Sequence, residues 1–599
     1  MPSDTIPSRL FDRAASYPDR AAYHVRTDSG WQPTTWREYA DDVLRAGKAL
    51  VALGLQPGDV CCILGFNRPE WIVLDVACMA VGGIPTGIYP TCSPEEIRYI
   101  LEHTGAPLLL LETDEHWRRV EAGLAEGEPS SADLRHVVSM RGGPTIDDGR
   151  SLSWEAFLAL GDGLDDDVVH ERTAALRSDA LGTLIYTSGT TGPPKGVMLS
   201  HENLTWTSEA MQRSLDATES DQMVSYLPLS HVAEQMFTIH SPITVGYPVY
   251  FAESVKTIAR DIQEVRPTLL FGVPRIWEKF HAGILGKLGE AKGVKKRLVS
   301  WARGAKRRAD GARASGRTPG GLQRMQVGLA ERLVFSKLRG ALGLDRTRIC
   351  VSGAAPLAAD VMDDLASLGI TVLEVYGQSE ASGPTSFNFP REFLVGSVGR
   401  PLEGVEVRIA DDGEILVRGS NVFMGYYRDD TSTTSTLDDG WLSSGDLGRI
   451  DDRGFLHIVG RKKDIIITAG GKNVAPQNIE NALKQSPIIE EAVVIGDRRR
   501  FLSALVTLDA DQSAAWAERE GVDAPEPHRH PRFVEEVERA VAAANERFAQ
   551  VEQIKRFTIL EHGFTIESGE LTPTMKIKRQ VIETRRADAI DAMYETGTS

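Results

Sequence analysis

Apolar positions along the first hundred residues recur at two alternating periods. In "TWREYADDVLRAGKALVALG" they fall three and four apart and stop at Gly54, which predicts an amphipathic helix with a glycine end. "DVCCILGF" is a short unbroken apolar run and predicts a buried strand. "PEWIVLDVACMAVGG" predicts a helix and "APLLLLE" another strand. Unbroken strands separated by helices predict a mostly parallel sheet covered by helices on both faces. The pattern resumes at Leu181 and continues past Val375. "GEILVRG" and "GFLHIVG" then read as short strands with glycine turns, a small antiparallel region. Beyond "KDIIITAGGKNVAPQNIENALKQ" the chain is rich in helix signals. The expected fold is α/β. A large N-terminal domain of mostly parallel sheets layered with helices, plus the small antiparallel region, spans 1–460. A hinge lies at 461–463, and a smaller α+β domain spans 464–599, with frayed last residues.

Length supports this division, since 599 residues exceed what one core organises. The composition, 42% apolar and 25% charged, is that of a globular chain. A net charge of -17 argues against a nucleic-acid partner, whose phosphates need surplus Lys and Arg. Cys61, Cys62, Cys78, Cys92 and Cys350 have no metal-ligand spacing and sit largely in apolar runs, as buried thiols of a reducing cytoplasm do. The N-terminus lacks the pattern of a secretory signal. No apolar run reaches the roughly 18 residues that cross a bilayer, and Asp75 interrupts the best candidate. One segment departs from the acidic background. Residues 287–346 hold 16 Lys and Arg against 4 Asp and Glu. This basic helical insertion reads either as a solvated surface or as a contact for anionic membrane lipid or a polyphosphate.

The densest chemistry lies in "YTSGTTGPPKGV", Tyr186–Val197. "ALGTLIY" before it and "GVMLS" after it read as strands, so the loop joins two elements near a sheet edge. Its glycines permit close backbone approach. The hydroxyls of Thr187, Ser188, Thr190 and Thr191 can donate to anionic oxygens, and Lys195 adds a charge; together they suit a phosphate chain. The spacing is not that of a Walker A loop, because Pro193 and Pro194 precede Lys195 and cannot donate N–H groups.

This loop resembles the phosphate loop of the adenylate-forming superfamily: acyl-CoA synthetases, luciferases and peptide-synthetase adenylation domains. Further motifs follow in that family's order: "LPLSHVAEQ", "SGAAPL", "YGQSE", "GWLSSGDLG", "GRKKDIIITAGGKNVAP" and "LTPTMKIKR". The resemblance spans nearly the whole chain. It implies a large adenylation domain and a small mobile one that rotates between two half-reactions. It also implies ATP, Mg²⁺ and CoA as cofactor and co-substrates.

Residue by residue, the resemblance implies that Thr187, Ser188, Gly189, Thr190, Thr191 and Lys195 hold the departing pyrophosphate. Glu380 and the Thr187 hydroxyl would hold Mg²⁺. Gly353, Ala354, Ala355 and Pro356 would cradle adenine, with Tyr376 stacked on it and Gly377, Gln378 and Ser379 beside it. Asp446 and Arg461 would bind the ribose hydroxyls, Lys463 would mark the hinge, and Lys576 would bridge carboxylate and α-phosphate. His231 would orient the carboxylate or gate the acyl tunnel; alone, it also reads as a core histidine. Two positions depart from the family pattern. Ser379 replaces the usual threonine, keeping the hydroxyl, and Met575 stands where many relatives carry glycine.

"VPRIWEKF", the basic insertion and "LTPTMKIKR" resemble the long-chain fatty acyl-CoA synthetases most. The implied reaction converts a fatty acid to acyl-adenylate and pyrophosphate, then to acyl-CoA and AMP, in the cytoplasm with peripheral contact to anionic membrane. Candidate acyl-pocket lining falls between Ser230 and Ile276. A fatty acyl-AMP ligase loading a carrier protein is the alternative, and an idle nucleotide-binding protein is a third reading.

Overall fold

The computed structural model describes residues 4–125, 134–187, 192–254, 256–289, 292–314, 317–390, 392–523 and 526–595. Its largest sheet has eight strands. In spatial order these are Gly425–Tyr426, Lys195–Ser200, Leu181–Thr187, Ile84–Ile88, Val60–Leu64, Leu108–Leu111, His136–Ser139 and Ser151–Ser153. The last six run parallel, and the first two pair antiparallel. The central strands show why their sequences are uniformly apolar. Cys61 and Ile63 enter one hydrophobic core while Val60, Cys62 and Leu64 enter the core on the opposite face. Leu108 and Leu110 divide from Leu109 and Leu111 in the same way. A strand covered twice has no polar face to show.

The predicted helices form. Trp36–Ala52 starts at a capping box in which the Thr35 hydroxyl accepts from the Glu38 N–H and Glu38 reaches back. Pro69–Ala80 is buried on all sides, carrying even Asp75 inside; burial raises that carboxyl well above its usual range. All five cysteines are buried and free.

Two further sheets complete the N-terminal layers. Leu269–Gly272, Ile349–Ser352 and Val372–Gln378 run parallel and turn antiparallel through Gly383–Phe387 and Arg400–Pro401. Met223–Ser225, Val249–Phe251 and Ala21–Thr27 are parallel, edged by Gly30–Thr35. The expected antiparallel region contains Glu406–Ile409, Glu414–Arg418, Trp441–Ile450 and Leu456–Arg461.

The C-terminal domain is built on Ile489–Ile495, Leu502–Leu508 and Ile554–Ile559. Ala492 and Val494 pack toward Leu483, Phe533 and Val537, while Val493 and Ile495 pack toward Ile582 and Met593. Helices therefore cover this small sheet on both sides, in the α+β arrangement expected. Within the basic insertion, Val294–Ala314 and Gly321–Ala330 pack through Ala302, Ala330 and Phe335. Arg303 ties the insertion to the domain through Asp364 at 2.5 Å and the Ser367 hydroxyl at 2.9 Å.

Candidate active site

The antiparallel hairpin Leu181–Thr187/Lys195–Ser200 sets Thr187 directly opposite Lys195. Ser188, Gly189, Thr190 and Thr191, in the loop between them, lie outside the described residues. The Lys195 ammonium stands 4.9 Å from the Tyr426 ring centroid and donates to the Ser432 hydroxyl at 2.6 Å. The Tyr426 hydroxyl in turn donates to Glu380 Oε1 at 2.9 Å. Lysine, aromatic ring and carboxylate thus form one continuous contact path from the loop to "YGQSE". Neither Tyr426 nor Ser432 was among the sequence candidates. Each sits in a polar stretch, "MGYYRDDTSTTS", with no periodic signal to mark it.

A second cluster forms around Asp446. Strands Trp441–Ile450 and Leu456–Arg461 pair so that Asp446 opposes Arg461, and the Arg461 Nε lies 2.9 Å from Asp446 Oδ1. Oδ2 accepts from the Tyr376 hydroxyl at 2.8 Å. Burial raises the Asp446 carboxyl pKa, while Arg461, Tyr376 and Lys576 pull it down. Strand Val372–Gln378 delivers Tyr376, and Ser379–Ala381 forms the tight turn that presents Glu380. Gly377 admits no side chain, because a Cβ there would lie 1.7 Å from the Gly383 carbonyl oxygen. Gly353 is equally confined, its Cβ position 2.6 Å from Val375 Cγ1, and Ala354 adopts φ +69°. Ala354, Ala355 and Pro356 are exposed.

Lys576 comes from the other domain and feels the charges of Glu380, Asp446 and Arg461 without a hydrogen bond or ion pair to any of them. Thr572 and Lys576 bond backbone to backbone at 2.8 Å, and Leu571 pairs with Ile577, making a tight hairpin. Its tip docks on the large domain, where the Thr91 hydroxyl donates to the Pro573 carbonyl at 2.7 Å and Lys578 lies 3.7 Å from Glu96. Lys576 itself is exposed to solvent. Desolvation by the surrounding protein lowers its ammonium pKa, Arg461 acts in the same direction, and Asp446 and Glu380 oppose them. Met575 just before it adopts φ +61°, the conformation that favours glycine and explains the glycine common at this position. Met575→Gly is therefore expected to hold adenylation within about twofold, whereas the β-branched Met575→Val, strained by about 1–2 kcal/mol, lowers it about tenfold. Initial rates of ATP–pyrophosphate exchange check both.

His231 lies within the field of Lys576. It caps helix Val232–Gln235, its Nδ1 accepting from the Ala233 N–H at 3.1 Å, so the ring proton falls on Nε2. Burial, reinforced by Lys576, lowers its pKa to about 4. The neutral ring can therefore donate one Nε2–H bond to a carboxylate throughout the physiological range. The pH profile of adenylation is expected to show no ionisation near 6.5 that disappears in His231→Gln; such a step in the wild-type rate alone would contradict a neutral donor. Glu234, which the sequence reading passed over, holds this loop in place. It accepts from the Ser225 hydroxyl at 2.6 Å, the Thr238 hydroxyl at 2.8 Å and the Tyr226 N–H at 3.1 Å. Burial pushes its pKa up to about 7 against those hydrogen bonds.

Lys463 lies in the short turn Lys462–Asp464 and is exposed, with no polar side-chain partner among the described residues. Its neighbour Lys462 makes the contacts instead, at 2.6 Å to Asp412 and 2.8 Å to Glu414. Other contacts between the domains are Arg275–Glu491 at 2.6 Å and Arg547–Asp360 at 2.5 Å.

The donor set suits Mg²⁺. That cation takes oxygen ligands, usually one or two carboxylates with substrate phosphates and waters, and Glu380 with the Thr187 hydroxyl offers such a partial set. Among the described residues no group of three or more His, Cys, Asp or Glu could hold a metal ion.

Comparison with known proteins shows the family. Residues 10–427 match the AMP-binding enzyme family, and residues 463–598 match the AMP-binding enzyme C-terminal domain. The long-chain-fatty-acid–CoA ligase FadD15 of Mycobacterium bovis is 38% identical over 603 residues, covering 99% of this chain and 97% of its own. The long-chain-fatty-acid–CoA ligase ACSBG2 of Gallus gallus is 37% identical over 622 residues, 98% of this chain and 80% of its own. Among solved structures, the anthranilate CoA ligase AuaEII in complex with anthranoyl-AMP shares the fold, with TM-score 0.70 and 20% identity over 99% of this chain and 98% of that one. Two family matches that together span most of the chain, and near-full-length relatives at 37–38% identity, show that the chain belongs to the adenylate-forming AMP-binding enzymes, in the long-chain fatty acyl-CoA synthetase branch.

Proposed function

We propose that this chain is an AMP-forming long-chain fatty acid–CoA ligase. The observation that carries the reading is the docking of the Lys576 hairpin on the large domain through Thr91 and Glu96, which brings the Lys576 charge within the field of Glu380, Asp446, Arg461 and His231. Two anions must meet in the first half-reaction, and a cation held between them offsets their repulsion as charge builds on the α-phosphate. A carboxylate oxygen attacks the α-phosphorus of ATP, and the bond to the β-phosphate oxygen breaks, leaving acyl-adenylate and pyrophosphate. Lys576 bridges the carboxylate and the α-phosphate. His231 donates its Nε2–H to the carboxylate and fixes its direction. Thr187 through Lys195 hold the β- and γ-phosphates, Asp446 and Arg461 take the ribose hydroxyls, and Tyr376 with the 353–356 and 377–379 backbone holds adenine. Mg²⁺ bound by Glu380 and Thr187 would supply charge neutralisation on the phosphates.

In the second half-reaction the CoA thiolate attacks the acyl carbonyl, and AMP leaves with the carboxylate oxygen it acquired. The residues 461–463 serve as the hinge between the domains spanning 1–460 and 464–599. Turning the small domain would withdraw Lys576 and bring the 469–473 loop forward. The segment between Ser230 and Ile276 lines the acyl pocket, where each buried methylene contributes about 0.8 kcal/mol. No described helix is long and apolar enough to cross a membrane. Five buried free thiols suit a cytoplasmic site of action, and the basic insertion suits peripheral contact with anionic lipid.

A chain-length series of acids with ATP, Mg²⁺ and CoA tests the substrate class through AMP release and thioester yield. A maximum among long chains is expected. A maximum confined to short or aromatic acids would remove the long-chain assignment. Thioester formed on a carrier protein but not on CoA would replace the acceptor.

A further inference from the structure

The basic insertion carries a feature that charge alone did not reveal. Along Gly321–Ala330 and its continuation Glu331–Phe335, the side chains of Leu322, Met325, Leu329 and Leu333 are 65%, 65%, 49% and 38% exposed. Their spacing of three, four and four confines them to about 80° of the helix circumference. The opposite side, with Ala330 and Phe335, packs on Ala302 and is buried. This helix is therefore apolar on two faces, only one of which the protein covers. A soluble surface does not normally leave such a stripe to water.

Charge identifies what covers it. Exposed Arg332 and Lys337 flank the stripe, and Val294, 82% exposed, begins the packed helix ahead of exposed Lys295, Lys296 and Arg297. None of these five cations has an ion-pair partner among the described residues. Beside Leu322, Arg308, Arg317, Thr318 and Gln323 line a recess of about 380 Å³. The segment carries +12 in a chain whose total is -17, so an anionic sheet of charge attracts this face and repels the rest. Helix Pro274–Gly289, which begins in the candidate acyl-pocket segment, leads directly into the insertion.

We propose that the insertion seats the protein on an anionic phospholipid bilayer, with Leu322, Met325, Leu329 and Leu333 buried at the acyl boundary and the surrounding Lys and Arg on lipid phosphates. The helix lies in the plane of the interface, in the manner of a surface-bound amphipathic helix. This deepens the peripheral contact suggested above and does not depend on which acid is activated.

Cosedimentation of the full chain with phosphatidylcholine vesicles, with and without phosphatidylglycerol, tests it. The wild type is expected to bind the anionic vesicles at least about tenfold more than the neutral ones and to release at about 0.5 M salt. L322S/M325S/L329S/L333S and, separately, R332E/K337E are each expected to cut binding about tenfold. Both variants should retain circular dichroism and thermal unfolding like the wild type, and dodecanoate-dependent exchange within about twofold, because neither touches the candidate active site. A stripe variant that binds anionic vesicles as the wild type does overturns the proposal. So does a wild type that ignores them, including one whose stripe is covered by a second copy, seen as a dimer by light scattering that the stripe variant loses. If the ligase reading alone were wrong, exchange would be missing while the vesicle results stood.

Discussion

Lys576→Ala is expected to lower fatty-acid-dependent ATP–pyrophosphate exchange by about 10²–10³, the usual loss when one donor to a developing charge is removed. Transfer of a supplied acyl-adenylate to CoA should stay within about threefold. The asymmetry follows from how the lysine is delivered. Thr572 and Leu571 hold its hairpin closed, and Thr91 and Glu96 hold the hairpin on the large domain, so this pose presents Lys576 to that domain. There it shares the field of Asp446, Glu380 and Arg461. Removing it leaves a carboxylate facing an α-phosphate with one cation fewer. Nothing ties it to the thiol attack, which needs no third cation between two anions. Equal losses in both half-reactions would show that Lys576 supports the fold rather than the first step.

The complementary effect is expected at the hinge. Lys463→Pro should leave exchange within about threefold and cut thioester formation about a hundredfold. Proline fixes φ near −65°, a value that the tight turn Lys462–Asp464 already requires, so the present pose tolerates it. The proposed rotation would require a different backbone angle at Lys463, which the ring forbids. The lysine side chain is exposed and makes no polar contact with described residues, so its loss adds little. Lys462, by contrast, pairs with Asp412 and Glu414, and its substitution would disturb this pose itself. Assaying exchange and thioester formation separately distinguishes the two; parallel losses would move the hinge elsewhere.

Much of this was legible in the chain because the relevant signals are local. "VCCIL" and "LLLL" are apolar throughout because alternate residues serve two cores, and that doubled burial is what an unbroken run encodes. The glycine before the family's lysine is legible too, once Met575 shows a positive φ. What sequence could not reveal is contact between distant polar residues. Tyr426 and Ser432 meet Lys195 from more than two hundred positions away, at the short edge strand Gly425–Tyr426 and the helix Asp430–Thr436. Glu234 lay inside a quoted motif, yet its donors are Ser225 and Tyr226 at the end of another strand, Thr238 in the following helical turn and the distant Asn67. The exposed stripe of the insertion escaped for a different reason. Leu, Met and Leu at helical spacing look like core in sequence, and only the packed arrangement shows which apolar face stays outside.

In the proposed first half-reaction a carboxylate oxygen attacks the α-phosphate while Lys576 bridges the two. A long-chain acid labelled with ¹⁸O in its carboxylate, turned over with ATP, Mg²⁺ and CoA, tests that attack directly by mass spectrometry of the nucleotide. The expected product is AMP carrying one labelled oxygen from the acid, with pyrophosphate unlabelled. Unlabelled AMP, or ADP with labelled inorganic phosphate, would contradict it.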